Sequence, residues 1–155
     1  MRSMEQLSKV SNEIKTGASD LTQVFQAARK EYDSMKATAE NAAAGVDDEV
    51  ASTIRAGIES GKESFRADME GQRHELDTLQ GKNAELHQEV DTKISANEAS
   101  QSQLEGLREN RFAKGATDAI RAIQKNTETG KTAKELAQQA MEAAQQAMEQ
   151  ATRGL

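Results

Sequence analysis

Apolar side chains recur three and four residues apart along most of the chain, the spacing that lines one face of an α-helix. The series is clearest near the amino terminus, through Leu7, Val10, Ile14, Gly17, Leu21, Val24 and Ala28. It then inserts four residues to Tyr32 and resumes at Met35, Ala39, Ala42 and Val46. Such a stutter unwinds a coiled coil locally without ending the helix. Ala42-Ala43-Ala44-Gly45 followed by Asp47-Asp48-Glu49 predicts the first turn. Glycine is the usual residue just past a helix end, and acids oppose the positive end of the next helix dipole.

A second segment runs through Val46, Val50, Ile54, Ile58, Gly61, Phe65, Met69, Gln72, Leu76, Leu79, Asn83, Leu86, Val90 and Ile94. From Ser95 to Gln103 large apolar residues drop out, and Ser102 with Glu105 matches a capping box, which predicts a second turn there. The third segment continues through Leu104, Leu107, Phe112, Ala116, Ile120, Ile123, Thr127, Gly130, Ala137, Met141, Ala144, Met148, Ala151 and Leu155. Gly115 and Gly130 are candidate kinks or breaks in it. The pattern predicts helices over residues 3–44, 47–94 and 102–153, folded as a single elongated domain: an all-α, antiparallel three-helix coiled-coil bundle. Two alternatives fit the same spacing. One keeps the second helix unbroken to near Asn110 and breaks at Lys114-Gly115-Ala116-Thr117, giving a long central helix flanked by two shorter ones; the other is an intermolecular coiled coil.

Composition narrows the picture. No proline occurs in 155 residues, so the strongest helix breaker is missing throughout. Leu, Ile, Val and Phe together supply only 23 residues, too few for a thick globular core. With Phe25, Tyr32, Phe65 and Phe112 as the aromatic residues, the core must be narrow and largely alanine. A bundle so thin buries little area per residue, and association with further helices is expected to relieve the deficit.

The net charge of −6 reads as dispersed, without a basic block. Nucleic acid is therefore not expected as a partner, because counterion release needs clustered cations. The amino terminus lacks the apolar stretch of a Sec signal peptide, and no window approaches the ~18 apolar residues of a spanning helix. A soluble protein is expected, cytoplasmic or exported by a signal-independent route. Without cysteine there is no disulfide or thiol chemistry.

Candidate chemistry is sparse. His74 and His87 are the only imidazoles, and thirteen residues put them about 220° apart around one helix. No Glu-x-x-His or His-Glu-x-x-His motif accompanies them, so no metal, cofactor or catalytic set is expected. Glu59 with Glu63 and Glu85 with Glu89 are carboxylates one turn apart, but nothing in the sequence builds a pocket around them. No small-molecule substrate is expected. Gly57, Gly61, Gly71, Gly81 and Gly106 lie inside helical patterns, each costing about 1 kcal/mol relative to alanine. Gly57 and Gly61 form a small-x-x-x-small pair that would let another helix approach closely.

Lys82-Asn83-Ala84-Glu85-Leu86-His87-Gln88-Glu89-Val90, with Leu76 and Leu79 before it, resembles a leucine-zipper seam with a polar core asparagine. The resemblance covers about a tenth of the chain and departs from the basic zipper family upstream. There Arg55, Lys62, Arg66 and Arg73 are outnumbered by Glu49, Glu59, Glu63, Asp68 and Glu70. It implies only that Asn83 fixes helix register, by penalising alignments that leave its amide unpaired.

The residues expected to form helix-interaction seams are Leu7, Ile14, Leu21, Val24, Leu76, Leu79, Asn83, Leu86 and Val90. The expected function is structural: presentation of coiled-coil surfaces for self-association into a homo-oligomer, or for binding a helical partner protein. The other reading is a secreted or stress-type protein at a membrane surface, resting on the Ala- and Met-rich face of residues 131–155. Lys131, Lys134 and Arg153 there are balanced by Glu135, Glu142 and Glu149, which weakens attraction to anionic lipid.

Overall fold

The computed structural model describes residues 2–110 and 114–155. The chain is all-α: α1 spans Met4–Ala44, α2 spans Asp48–Leu107 and α3 spans Ala116–Thr152. These helices pack against one another as a three-helix bundle, and the described residues divide into two compact units. Unit 1 comprises Met1–Thr16 with Leu79–Met141, and unit 2 comprises Gly17–Thr78 with Glu142–Leu155.

Helix boundaries follow from capping. Ser3 Oγ accepts from the Gln6 amide at 3.1 Å while Gln6 Oε1 accepts from the Ser3 amide at 2.8 Å, a reciprocal box that opens α1. Asp47 Oδ1 accepts from the Val50 amide at 3.0 Å and opens α2. The first turn thus lies where the Gly45 and Asp47 signals place it. Gly45 closes α1 through a 3.3 Å bond from its amide to the Ala42 carbonyl, without a positive φ.

The second turn is elsewhere than the preferred pattern predicted. Residues 95–102 continue α2 without interruption, and the break falls between Leu107 and Ala116. Ser95 to Gln103 contains no Gly or Pro, so nothing in it breaks a helix. Its scarcity of large apolar residues does not matter either, because Asn97 meets α3 through polar atoms, donating to Asn126 Oδ1 at 2.9 Å and Thr127 Oγ1 at 3.1 Å. The chain turns through amide bonds from Arg108 to Glu105 and from Asn110 to Leu107, and the Gly115 carbonyl accepts from Ala119 to begin α3. A 60-residue helix between helices of 41 and 37 residues is the long-central-helix alternative. Phe112, placed in the third seam by the sequence pattern, lies outside the described residues.

In unit 1 the core holds Met4, Leu7, Ile14, Leu86, Val90, Ile120, Ala133 and Ala137, each at most 5 % exposed. α2 and α3 run antiparallel here: Asn83 meets Gln138, Asp91 meets Lys134 and Asn97 meets Asn126. Ser11, 1 % exposed, donates to the Ala133 carbonyl at 2.5 Å, which satisfies a hydroxyl that burial would otherwise penalise. Gly130 provides a close approach. A Cβ there would stand 2.7 Å from the Met4 methyl and 3.0 Å from Val90 Cγ1.

In unit 2 the core is aromatic. Phe25 is fully buried, and Tyr32 on α1 stacks on Phe65 of α2 with centroids 5.1 Å apart at 24°. Arg29 Nη1 donates to the Ala151 carbonyl at 3.0 Å and the Arg153 carbonyl at 2.7 Å, capping the carboxyl end of α3 with a cation. Gly154 follows with φ of 76°, a conformation glycine adopts without strain.

The buried register of α1 differs from the sequence reading at alternate positions. Leu7, Ile14 and Leu21 face inward, but their companions are Met4, Ser11, Ala18 and Phe25. Val10 and Gly17 are only partly covered, and Val24 is 41 % exposed. Burying Phe25 removes far more apolar area than burying Val24, so the aromatic ring decides which way the helix turns.

Candidate functional site

Once the core is filled, a second apolar stripe remains on the outside of unit 2. Val24, Ala28, Glu31, Met35, Thr38 and Ala42 follow one another at steps of four and three, a heptad seam on α1. Val24 and Met35 are 41 % and 39 % exposed, although Val24 directly precedes the fully buried Phe25. Val46 and Val50, at the turn into α2, are 44 % and 45 % exposed. α1 carries two apolar registers one residue apart, and only one of them faces the bundle: Leu7, Ser11, Ile14, Ala18, Leu21, Phe25 and Tyr32 turn inward in unbroken heptad phase, so the buried face has no stutter after Ala28.

Two shallow clefts mark the stripe. One, of about 240 Å³, lies between α1 and α2 and is lined by Tyr32, Met35, Gly61 and Phe65, with Glu31 and Asp68 at its rim. The other, of about 530 Å³, continues along α1 past Met35, Thr38 and Ala39 to Ala42. No basic residue lines either cleft, and neither Glu31 nor Asp68 forms an ion pair among the described residues. The Gly57-Gly61 pair contributes unequally. A Cβ on Gly61 would meet the Met35 methyl at 2.6 Å, while Gly57 has nothing within 4 Å.

Charge is divided unevenly, contrary to the dispersed reading. Unit 2 carries fifteen acidic and eight basic side chains, whereas unit 1 carries eleven and twelve. The net negative charge therefore sits with the exposed stripe. Arg29, Arg66 and Arg73 of unit 2 are engaged with Asp33, Glu63 and Glu70 on their own helices.

The zipper-like segment lies in unit 1 and is used within the chain. Leu86 and Val90 are fully buried, Leu79 is half-buried, and Asn83 is 9 % exposed with Nδ2 donating to Gln138 Oε1 at 3.1 Å. Leu7 and Ile14 are buried in the same unit; Leu21 and Leu76 are buried in unit 2. Of the nine predicted seam residues, Val24 alone is exposed.

One turn past Asn83, the His87 imidazole lies against α3 and hydrogen-bonds the Lys134 backbone. Asn83 Oδ1 and His87 Nε2 are both buried without a partner. Burial, then the Lys134 ammonium, pushes the His87 pKa below its ordinary 6.5, partly offset by Asp91 and the Lys134 backbone. His87 is thus held neutral beside the Lys134–Asp91 ion pair. Arg2 and Glu89 pair across unit 1, and their hydrogen bond lowers the Glu89 pKa and raises that of Arg2.

Among the described residues no group of three or more His, Asp or Glu side chains is placed to hold a metal ion. No described helix is long and apolar enough to cross a membrane. Val24, Ala28, Met35 and Ala42 of the outer stripe belong to the heptad series of the sequence, which runs the inner and outer registers together; what separates the two registers is the weight of Phe25 and Tyr32. Comparison with protein-family models, curated proteins and solved structures finds no match for this chain.

Proposed function

We propose that the chain is a structural interaction protein that offers a helix surface to another helical chain. The observation that carries this reading is the heptad stripe of exposed Val24, Met35 and Ala42 with the half-buried Ala28, which survives after α1 has already supplied an inner face. An apolar strip kept outside a thin bundle costs solubility, and such strips mark interaction sites. Methionine at its centre suits a docking role, because an unbranched, polarisable side chain adapts to a partner's contour. Self-association and binding of a different helical protein both satisfy the geometry of the stripe. A lipid surface fits less well, because the acidic excess of unit 2 repels anionic headgroups.

The test compares the native chain with the double variant Val24→Glu and Met35→Glu by circular dichroism and sedimentation across a concentration series, alone and with helical peptides. Both positions are well exposed, so melting and helicity should stay unchanged while association is lost. Association that survives the double variant would sink the proposal.

A further inference from the structure

The exposed stripe has a chemical bias that selects its occupant. Six positions, Val24, Ala28, Glu31, Met35, Thr38 and Ala42, span about 27 Å of helix, enough for a partner helix of about eighteen residues. Five of the six are neutral. The sixth, Glu31, stands in the middle of the seam, one turn before Met35, and Asp68 of α2 faces the same cleft. Neither carboxylate forms an ion pair among the described residues, and the unit around them is acidic by seven charges.

A second copy of this chain meets that bias badly. In parallel register Glu31 opposes Glu31, and in antiparallel register two acidic units are brought together. Like charges set opposite each other at a helix seam disfavour the pairing and specify against it. A helix with Leu or Met at its seam and Lys or Arg flanking them meets the groove with matched charge, which speeds encounter and discriminates against acidic partners.

We infer that the groove formed by Ala28, Glu31 and Met35 of α1 with Gly61 and Asp68 of α2, continued along α1 by the exposed Val24, docks a basic amphipathic helix from another protein. This rests on the helix-docking reading above and adds the chemistry of the partner. Met35 supplies the adaptable apolar floor, Gly61 keeps the cleft open beside it, and Glu31 and Asp68 fix the partner's cations on either rim.

The experiment uses the full chain and two synthetic eighteen-residue helices with identical Leu seams, one flanked by Lys and the other by Glu. Binding is followed by chemical shifts of the Met35 methyl and by titration calorimetry at two salt concentrations. The Lys peptide is expected to bind and shift Met35, and the Glu peptide to bind at least tenfold more weakly. Glu31→Lys combined with Asp68→Lys should reduce Lys-peptide affinity about tenfold, as expected for reversing two rim charges. Glu59→Lys combined with Glu49→Lys, which makes the same charge change away from the cleft, should reduce it much less.

Equal binding of both peptides at Met35 would overturn the basic-partner inference and leave helix docking intact. Concentration-dependent self-association abolished by Val24→Glu, with neither peptide binding, would assign the groove to a second copy and overturn the inference alone. Binding to vesicles of phosphatidylglycerol in preference to both peptides would make it a lipid surface and overturn both readings. A chain that stays monomeric and binds nothing would also overturn both.

Discussion

Units 1 and 2 are cut from the same three helices yet are held together differently. In unit 1 the helices are cross-linked by polar atoms: Ser11 to the Ala133 carbonyl, Asn83 to Gln138, Asn97 to Asn126 and Thr127, Lys134 to Asp91, and Arg2 to Glu89. Each of these bonds is satisfied in one alignment only, so they specify register more than they add stability. Unit 2 relies more on bulk, with Phe25, Tyr32 and Phe65 at its centre; Arg29 of α1 links to the last carbonyls of α3, while Arg66 and Arg73 pair within their own helix. The contrast shows how a chain poor in large apolar residues divides labour. Where the core is aliphatic and alanine-rich, polar links define the fit; where aromatic rings fill it, charge and apolar surface are left free for the outside.

The sharpest way to break the comparison is at adjacent residues of α1. Phe25→Ala should destabilise the fold by about 3–5 kcal/mol through the lost transfer energy and the cavity left behind. Val24→Ala, at a position 41 % exposed, should change stability by less than about 0.5 kcal/mol. Chemical denaturation of the two variants checks this directly, and similar losses at both sites would contradict the observed register.

A smaller effect with the opposite sign is expected in unit 1. Asn83→Leu removes a buried carbonyl oxygen that has no partner and adds apolar area at a seam position, so stability should rise by about 1–2 kcal/mol. If Asn83 fixes register, the variant melts higher but shows heterogeneous amide spectra for Gln138 and its neighbours, since alternative alignments of α2 and α3 become cheaper. A higher melting point with a single sharp set of resonances would deny Asn83 that role.

Much of the fold was legible because it rests on local chemistry. Proline-free sequence, three-and-four spacing, and the Gly45–Asp47 signal sufficed for three helices and the first turn. The Ser3-x-x-Gln6 box that opens α1 is equally local. What escaped reading were choices between nearly equal options. Val10 and Val24 look more apolar than Ser11 and Ala18, yet the inner face takes the latter, because Ser11 finds the Ala133 carbonyl and Phe25 outweighs Val24. The turn after α2 escaped because Asn97 reaches a polar partner that only tertiary structure brings near. The outer groove was hidden for the same reason: its stripe belongs to the heptad series, and becomes a surface only once the inner register is settled.

Glycine substitutions sharpen the comparison further. Gly57→Ala and Gly71→Ala in unit 2 and Gly81→Ala in unit 1 place a methyl where nothing lies within 4 Å, and each should stabilise by about 1 kcal/mol through helix propensity. Gly61→Ala should gain less, since the flexible Met35 end must move aside. Gly130→Ala should lose stability, because Met4 and Val90 are both buried and close on the site. Thermal melts of the five variants give the ranking, and a stabilising Gly130→Ala would refute the close approach of the helices there.

The smallest expected effect is a pH dependence confined to unit 1. The charged groups that act on His87 are Asp91 on α2 and Lys134 on α3. Burial and the Lys134 charge lower its folded pKa, so below 6.5 the unfolded chain binds a proton that the folded chain resists. Stability is therefore fully present above pH 6.5 and falls as the pH drops toward the depressed folded pKa. Glu89, lowered by Arg2, adds a loss of the same sign beginning only near its ordinary 4.5. His87→Gln should flatten the melting-temperature profile just below pH 6.5 while leaving the acid limb below 4.5 in place. An unchanged profile in that upper window would mean that the imidazole is solvated in the folded chain and that the polar seam of unit 1 does not include it.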